Sequence, residues 1–239
     1  MTEFSQFNDI ILKAFCLNPY KQEIIDRKTE IITKVAEHWR QPVKSILFIG
    51  FNPAILSKKF PKILVSHIST EVGQWLIEQG VNFELVDMNN IRPVDLAVAL
   101  DEFLTFAEDD ADQQKLISQI SKTAKTVITT VKDYKNQEFK DREYSQPAIV
   151  RNEEEVTAFT EIHIWDKTDK NNWQTRVYEL NKIDAVHHGT FKRRALFFKQ
   201  LAKFTKDAGA KNFLVHKNLM YKSLIKKNYE HVISIRYEE

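Results

Sequence analysis

Two groups of side chains in this sequence could move a proton, and one short turn could let a ligand approach the backbone. His187-His188-Gly189 sets two imidazoles side by side, each able to take a proton near neutral pH, and Asp133-Tyr134-Lys135 joins a carboxylate, a phenol and an ammonium. Adjacent histidines cannot by themselves complete a metal site, and no acid-histidine spacing supports them, so no metal is expected. Cys16 is the sole cysteine, which excludes an internal disulfide and a cysteine zinc cluster. No serine sits at a recognisable nucleophile elbow, so hydrolase chemistry falls behind. In Phe48-Ile49-Gly50-Phe51-Asn52-Pro53-Ala54, Gly50 allows a tight turn, Asn52 suits a helix N-cap and Pro53 a first helical position. The chain has only five glycines, which argues against a pyrophosphate-cradling loop and hence a nicotinamide or flavin site.

The elements that must position these groups follow from hydrophobic periodicity. Phe4, Phe7, Ile10, Ile11 and Ala14 recur at helical spacing, as do Ile24, Ile25, Ile31, Ile32, Val35 and Trp39, giving two helices parted at Asn18-Pro19 and ended by Pro42. From Ser45 onward short apolar runs alternate with helices. Strands are predicted at 46–49, 62–67, 82–87, 94–100 and 126–131, with helices at 70–79 and 112–123 between them. Strands joined through helix-length crossovers pair in parallel, so the fold class is α/β with a doubly wound sheet. Residues 135–184 interrupt the alternation. There, Glu161–Trp165 and Trp173–Leu180 have a period of two around a polar connection, and predict an inserted β-hairpin. A long helix over 191–208 closed by Gly209, a strand at 212–216, a short helix at 219–227 and a strand at 231–237 complete the pattern. Residues 1–44 are thus a helical extension, and 45–239 one α/β domain with its insertion at about 135–184.

A net charge of +2 gives no global reason for nucleic-acid binding. From His187 onward, however, twelve Lys and Arg face only four acids. That run reads first as a solvated helix face and second as a surface for an anionic partner. A lone cysteine fits a reducing cytosol, and no apolar stretch is long enough to cross a bilayer.

From Ser45 to the C-terminus the order of elements resembles the class I S-adenosylmethionine-dependent methyltransferases. That likeness implies a seven-stranded, mostly parallel sheet whose last strand is antiparallel, with S-adenosylmethionine as cofactor. In that family an acid ends strand one and glycines follow at alternate positions. Here Gly50 matches, while Phe48, Asn52 and Ala54 replace the acid and two glycines. Phe48, Gly50, Phe51 and Asn52 would therefore border the methionine part of the cofactor. His67 stands where the family has a ribose-binding carboxylate, next to Ile68, and offers one acceptor nitrogen in place of two oxygens. Asp87-Met88 resembles the acid and apolar pair that hold adenine, and Leu100-Asp101 the strand-four turn that borders the methyl group. Asp101 and Glu102 could equally cap the next helix. The resemblance also places Tyr134, His187 and His188 on the acceptor side, a histidine being the expected base.

Three functions fit these expectations. The first is methyl transfer to a small-molecule acceptor, an anionic one being compatible with the basic final segment. The second is a methyltransferase-like binding or scaffold protein without catalysis, which the replaced Phe48, Asn52, Ala54 and His67 make credible. Nucleic-acid methylation is third, because Leu100-Asp101-Glu102-Phe103 lacks the prolines of that branch's motif.

Overall fold

The computed structural model of the chain describes residues 2–132, 142–151, 156–169, 171–227 and 229–238. Two helices lead, α1 (Glu3–Leu17) and α2 (Lys21–His38). The Thr2 hydroxyl caps α1 by accepting from the Ser5 N–H at 3.2 Å. Phe4, Phe7, Ile10, Ile11, Ala14 and Phe15 form its buried stripe, so α1 is held by packing as well as by its cap.

The main sheet contains β1 (Ile46–Ile49), β2 (Ile63–Ser66), β3 (Phe83–Leu85), β4 (Val94–Ala99), β5 (Ala124–Val131), β11 (Asn212–Lys222) and β12 (Tyr229–Arg236). Their order is β3-β2-β1-β4-β5-β12-β11. The first five strands run parallel, and β12 is antiparallel to both β5 and β11. Ile46, Leu47 and Phe48 are fully buried on both sides of the central strand, as expected of a parallel strand covered on two faces. Helices α3 (Thr70–Glu78), α4 (Asp110–Ser121) and α5 (Phe198–Asp207) complete the layers. This is the α/β architecture that the periodicity predicts.

Between β5 and α5 lies a second sheet. It comprises β6 (Arg142–Tyr144), β7 (Ala148–Arg151), β8 (Val156–Trp165), β9 (Asn172–Leu180) and β10 (Ala185–Arg194). The predicted hairpin is its β8-β9 pair, with Trp165 opposite Trp173. The insertion is larger than expected, because β10 adds to β9 while β6 and β7 both line the other edge of β8.

Two predicted helices differ. Residues 191–194 belong to β10 and not to a long helix, since Phe191 and Arg193 pair across to Thr175 and Trp173 and turn their side chains inward. The helix starts only at Phe198. The short helix at 219–227 is absent; β11 continues through Tyr221, whose buried ring and sheet pairing outweigh the local apolar spacing. The basic run is likewise not a simple solvated face, for Arg193, Arg194 and Lys226 are buried.

Candidate active site

The carboxyl ends of β1, β2 and β4 each carry left-handed backbone. Gly50 has φ +85°, His67 +56°, Asp101 +54° and Glu102 +55°. For the three non-glycine residues this left-handed geometry costs on the order of 1–3 kcal/mol each, and such outliers gather at functional edges. In doubly wound sheets ligands bind at this edge, where the strand order reverses; here the reversal lies between β1 and β4.

Helix α1 lies directly over the β1 turn. The Phe51 N–H donates to Asn8 Oδ1 at 2.7 Å, and Asn8 Nδ2 donates to the Phe4 carbonyl at 2.6 Å. A Cβ on Gly50 would meet Asn8 Oδ1 at 2.6 Å and Phe4 Cε1 at 2.7 Å. Glycine is thus required both by its φ and by the close approach of α1. The Phe4 ring packs edge-on against Phe103 and Phe106, with centroids 4.6 and 4.9 Å away. Farther along α1, Asp9 accepts from the Ser69 hydroxyl, which also caps α3. Lys13 pairs with Glu179 of the inserted sheet at 2.6 Å. The helix therefore straps the strand ends to the insertion.

Beside this strap a cavity of about 380 Å³ opens at the same edge. His67 and Phe103 form its floor, Phe4 and Phe106 one side, and Lys115, Leu116 and Gln119 of α4 the other. Among the described residues His67 Nδ1 is buried without a hydrogen-bond partner, a cost on the order of 1–3 kcal/mol that a ligand donor or acceptor would relieve. Burial pushes the His67 pKa below its ordinary value, with Asp87 opposing, which favours the neutral imidazole. Gln119 donates to Asn89 Oδ1 at 3.0 Å and ties α4 to the turn after β3. The volume lies within the range of roughly 300–1,000 Å³ usual for small-molecule sites.

A second cavity, of about 360 Å³, shares Ala107, Glu108 and Lys192 with the first. The inserted sheet supplies its other wall through Trp165, Asp166, Asn172, Trp173 and Gln174. Beneath it, Arg193 lies 3.5 Å over the Phe106 ring and donates to Thr105 Oγ1 at 2.8 Å. Lys226 bridges Glu102 and Glu230, each at 2.8 Å. Burial pushes Glu102 upward, but Lys226 and then Arg193 overcome it and hold that carboxyl well below the usual range. Glu230 shares the same cation less favourably, and burial carries it up to about 7. Next in the chain, Asp101 accepts from the Tyr221 hydroxyl at 2.6 Å.

The structure distributes the sequence-predicted residues unevenly. His67 lines the first cavity. Leu100 and Met88 are core residues, and Asp101 is buried beside Tyr221. Asp87 is exposed, and its carboxylate accepts from the Asn89 N–H and from the Asn89 and Asn90 amides. Phe48 packs on Phe60, and Phe51 on Phe15 and Trp75, so neither ring fills the cavity. Asn52 caps the 3-10 turn Pro53–Leu56 through Ala54 N–H. Ile68 lines a separate, wider groove beside α3. His188 lies 2.7 Å from Glu179 and His187 packs on Tyr178; both sit on β10 and line neither cavity. Tyr134 lies outside the described residues. Phe103, Phe106, Glu108, Gln119 and Lys192 were not singled out from sequence. The helix predicted at 112–123 in fact starts at Asp110, capped by Asp109.

No family model matches the chain, and no curated protein does. Among solved structures it resembles an S-adenosylmethionine-dependent methyltransferase from Clostridium acetobutylicum, at 13% identity and TM-score 0.64 over 90% of this chain and 92% of the other. An amino pentose methyltransferase from Micromonospora echinaspora, solved with S-adenosylmethionine bound, matches at 11% identity and TM-score 0.63 over 88% and 91%. A sugar N-methyltransferase from Streptoalloteichus matches at 11% identity and TM-score 0.61 over 90% and 88%. At these identities the likeness is one of fold: the chain has the class I S-adenosylmethionine-dependent methyltransferase fold.

Proposed function

We propose that the chain is an S-adenosylmethionine-dependent methyltransferase acting on a small molecule, with α1 as the element that must yield for the cofactor to enter. The observation that carries this reading is the 380 Å³ cavity at the strand reversal, with an unpartnered His67 Nδ1 in its wall. The adenosine part fits these residues. His67 would meet the ribose, and Phe103 and Leu116 offer apolar cover for the purine, with the Gln119 amide at the rim. The methionine part does not fit beside Gly50 with α1 in place, because Phe4 and Asn8 already cover that turn and use its N–H.

The bound cofactor supplies an electrophilic methyl group, and alignment with exclusion of water then provides much of the acceleration. The acceptor belongs in the second cavity, which joins the first at Ala107, Glu108 and Lys192. Its mixed lining of tryptophan, amide, carboxylate and cation suits a small polar acceptor. Two of the structural neighbours act on sugars, which makes an amino sugar the first acceptor to try. Glu108, shared by both cavities, is the carboxylate placed to take a proton from an acceptor amine.

A second reading, a methyltransferase-like scaffold without catalysis, is favoured by the Asn8 to Phe51 hydrogen bond, since it fills the methionine place with the chain's own side chains. Calorimetric titration with S-adenosylmethionine and S-adenosylhomocysteine separates the two. One-to-one binding of either supports the enzyme, and silence with both at millimolar concentration supports the scaffold.

A further inference from the structure

Between α2 and the end of β11 lies another cavity, of about 260 Å³, which shares no lining residue with the two that adjoin at Glu108 and Lys192. Its walls come from α2, the start of β7 and the loop after β11. They are tied together where the Lys227 N–H donates to the Gln146 carbonyl and where Pro147 bridges to Lys226. Arg27, Lys28, Lys222 and Lys227 line it, and no carboxylate does among the described residues. Ile24, Ile149, Val150 and Leu224 supply an apolar wall.

Among the described residues, two features show that this charge is built in and only partly compensated. Lys28 is 3% exposed; its ammonium sits 3.2 Å over the Tyr221 ring and donates to the Lys222 carbonyl. Burial drags its pKa down to about 7, with Asp101 and Glu230 pulling it back only in part. Ser223 is also 3% exposed, lines the cavity, and has a hydroxyl with no hydrogen-bond partner among the described residues. Among the described residues Arg27 has only a loose, exposed pairing with Glu23 at 3.9 Å. Gathering like charges raises the local potential and attracts an anion. An unpaired buried hydroxyl beside them offers that anion a donor.

We propose that the cavity between α2, β7 and the loop after β11 binds a phosphate monoester with a compact apolar body. Arg27, Lys222 and Lys227 around one small space, with Lys28 divided between its charged and neutral forms near pH 7, call for more than a single negative charge, and a phosphate monoester carries nearly two at pH 7.5. The apolar wall accounts for the body of the ligand. This site stands independently of the methyl-transfer reading.

Titration calorimetry on the full chain at pH 7.5 tests the proposal, with phenyl phosphate as probe and inorganic phosphate, phenylacetate and phenol as comparisons. Phenyl phosphate is expected to bind one to one, at least fivefold tighter than inorganic phosphate or phenylacetate, and phenol to give no heat. Affinity should fall at least tenfold in Lys227→Glu, several-fold in Ser223→Ala, and with added salt. Lys227 and Arg27 are exposed, so Lys227→Glu and Arg27→Glu leave the fold intact, which circular dichroism verifies. Absence of phenyl phosphate binding, or equal affinity in wild type and both charge-reversed variants, would overturn the proposal. Equal affinity for inorganic phosphate would overturn the apolar half of it.

Discussion

Asn8 of α1 accepts a 2.7 Å hydrogen bond from the Phe51 N–H, which joins the N-terminal helix to the turn after the central strand. Asn8 is 2% exposed, so water does not compete for this bond. The same contact explains the close fit at Gly50 and the obstruction of the methionine place.

Removing it should weaken the fold and open the turn together. Asn8→Ala leaves a buried N–H without a partner, a cost on the order of 1–3 kcal/mol, and thermal unfolding should report it as a lower Tm. Calorimetry on the same variant should give tighter binding of S-adenosylmethionine than wild type, since the cofactor no longer displaces Asn8. A lower Tm with weaker cofactor binding would count against α1 as a strap over the site.

Gly50→Ala should do the reverse of a harmless surface change. The new Cβ would approach Asn8 and Phe4 within 2.6–2.7 Å on a backbone at φ +85°. Loss of stability on the order of 2 kcal/mol or more is expected in denaturant unfolding. An unchanged midpoint would mean that α1 moves away freely.

The Lys226 bridge tests how the buried charges support one another. Lys226→Met takes from buried Glu102 its strongest opposing charge, leaving Arg193 and Lys132, and should cost about 3–5 kcal/mol. Combining it with Glu102→Gln should recover part of that loss, because one of the two buried carboxylates that lost the cation is gone. Additive losses in the double variant would show that the two side chains act separately.

His163 provides a pH dependence. Burial pushes its pKa down to about 3, and Lys132 and Lys226 add to the effect. Between about pH 6.5 and 3 the unfolded chain binds a proton at this residue and the folded chain does not. Its contribution to stability is therefore complete above 6.5 and declines as pH falls through that window. Denaturant unfolding at pH 7.5 and 4.5 should show a smaller acid loss for His163→Gln than for wild type, by on the order of 1–3 kcal/mol. Parallel losses would contradict the burial of a neutral imidazole.

The strand alternation was legible because β1, β2, β4 and β5 are buried on both faces and read as continuous apolar runs. Tyr221 and Arg193 escaped that reading for an opposite reason: each is polar, belongs to a strand, and is buried only because a distant partner receives it. Gly50, Asn52 and His67 were recognisable as strand-end residues from their types. That Asn8 and Phe4 would cover Gly50 was not legible, since a contact across some forty residues leaves no local spacing signal. Phe103 read as an ordinary residue after strand four and Gln119 as a helix-surface position, until the turn after β4 and helix α4 set both in the cavity that His67 lines.

A crystal of the full chain soaked with S-adenosylhomocysteine tests the central claim most directly. The account predicts density for adenosine between His67, Phe103 and Gln119, with Phe4 and Asn8 drawn away from Gly50. An unaltered α1 with no nucleoside in that cavity, at ligand concentrations well above those that fill related sites, would contradict it.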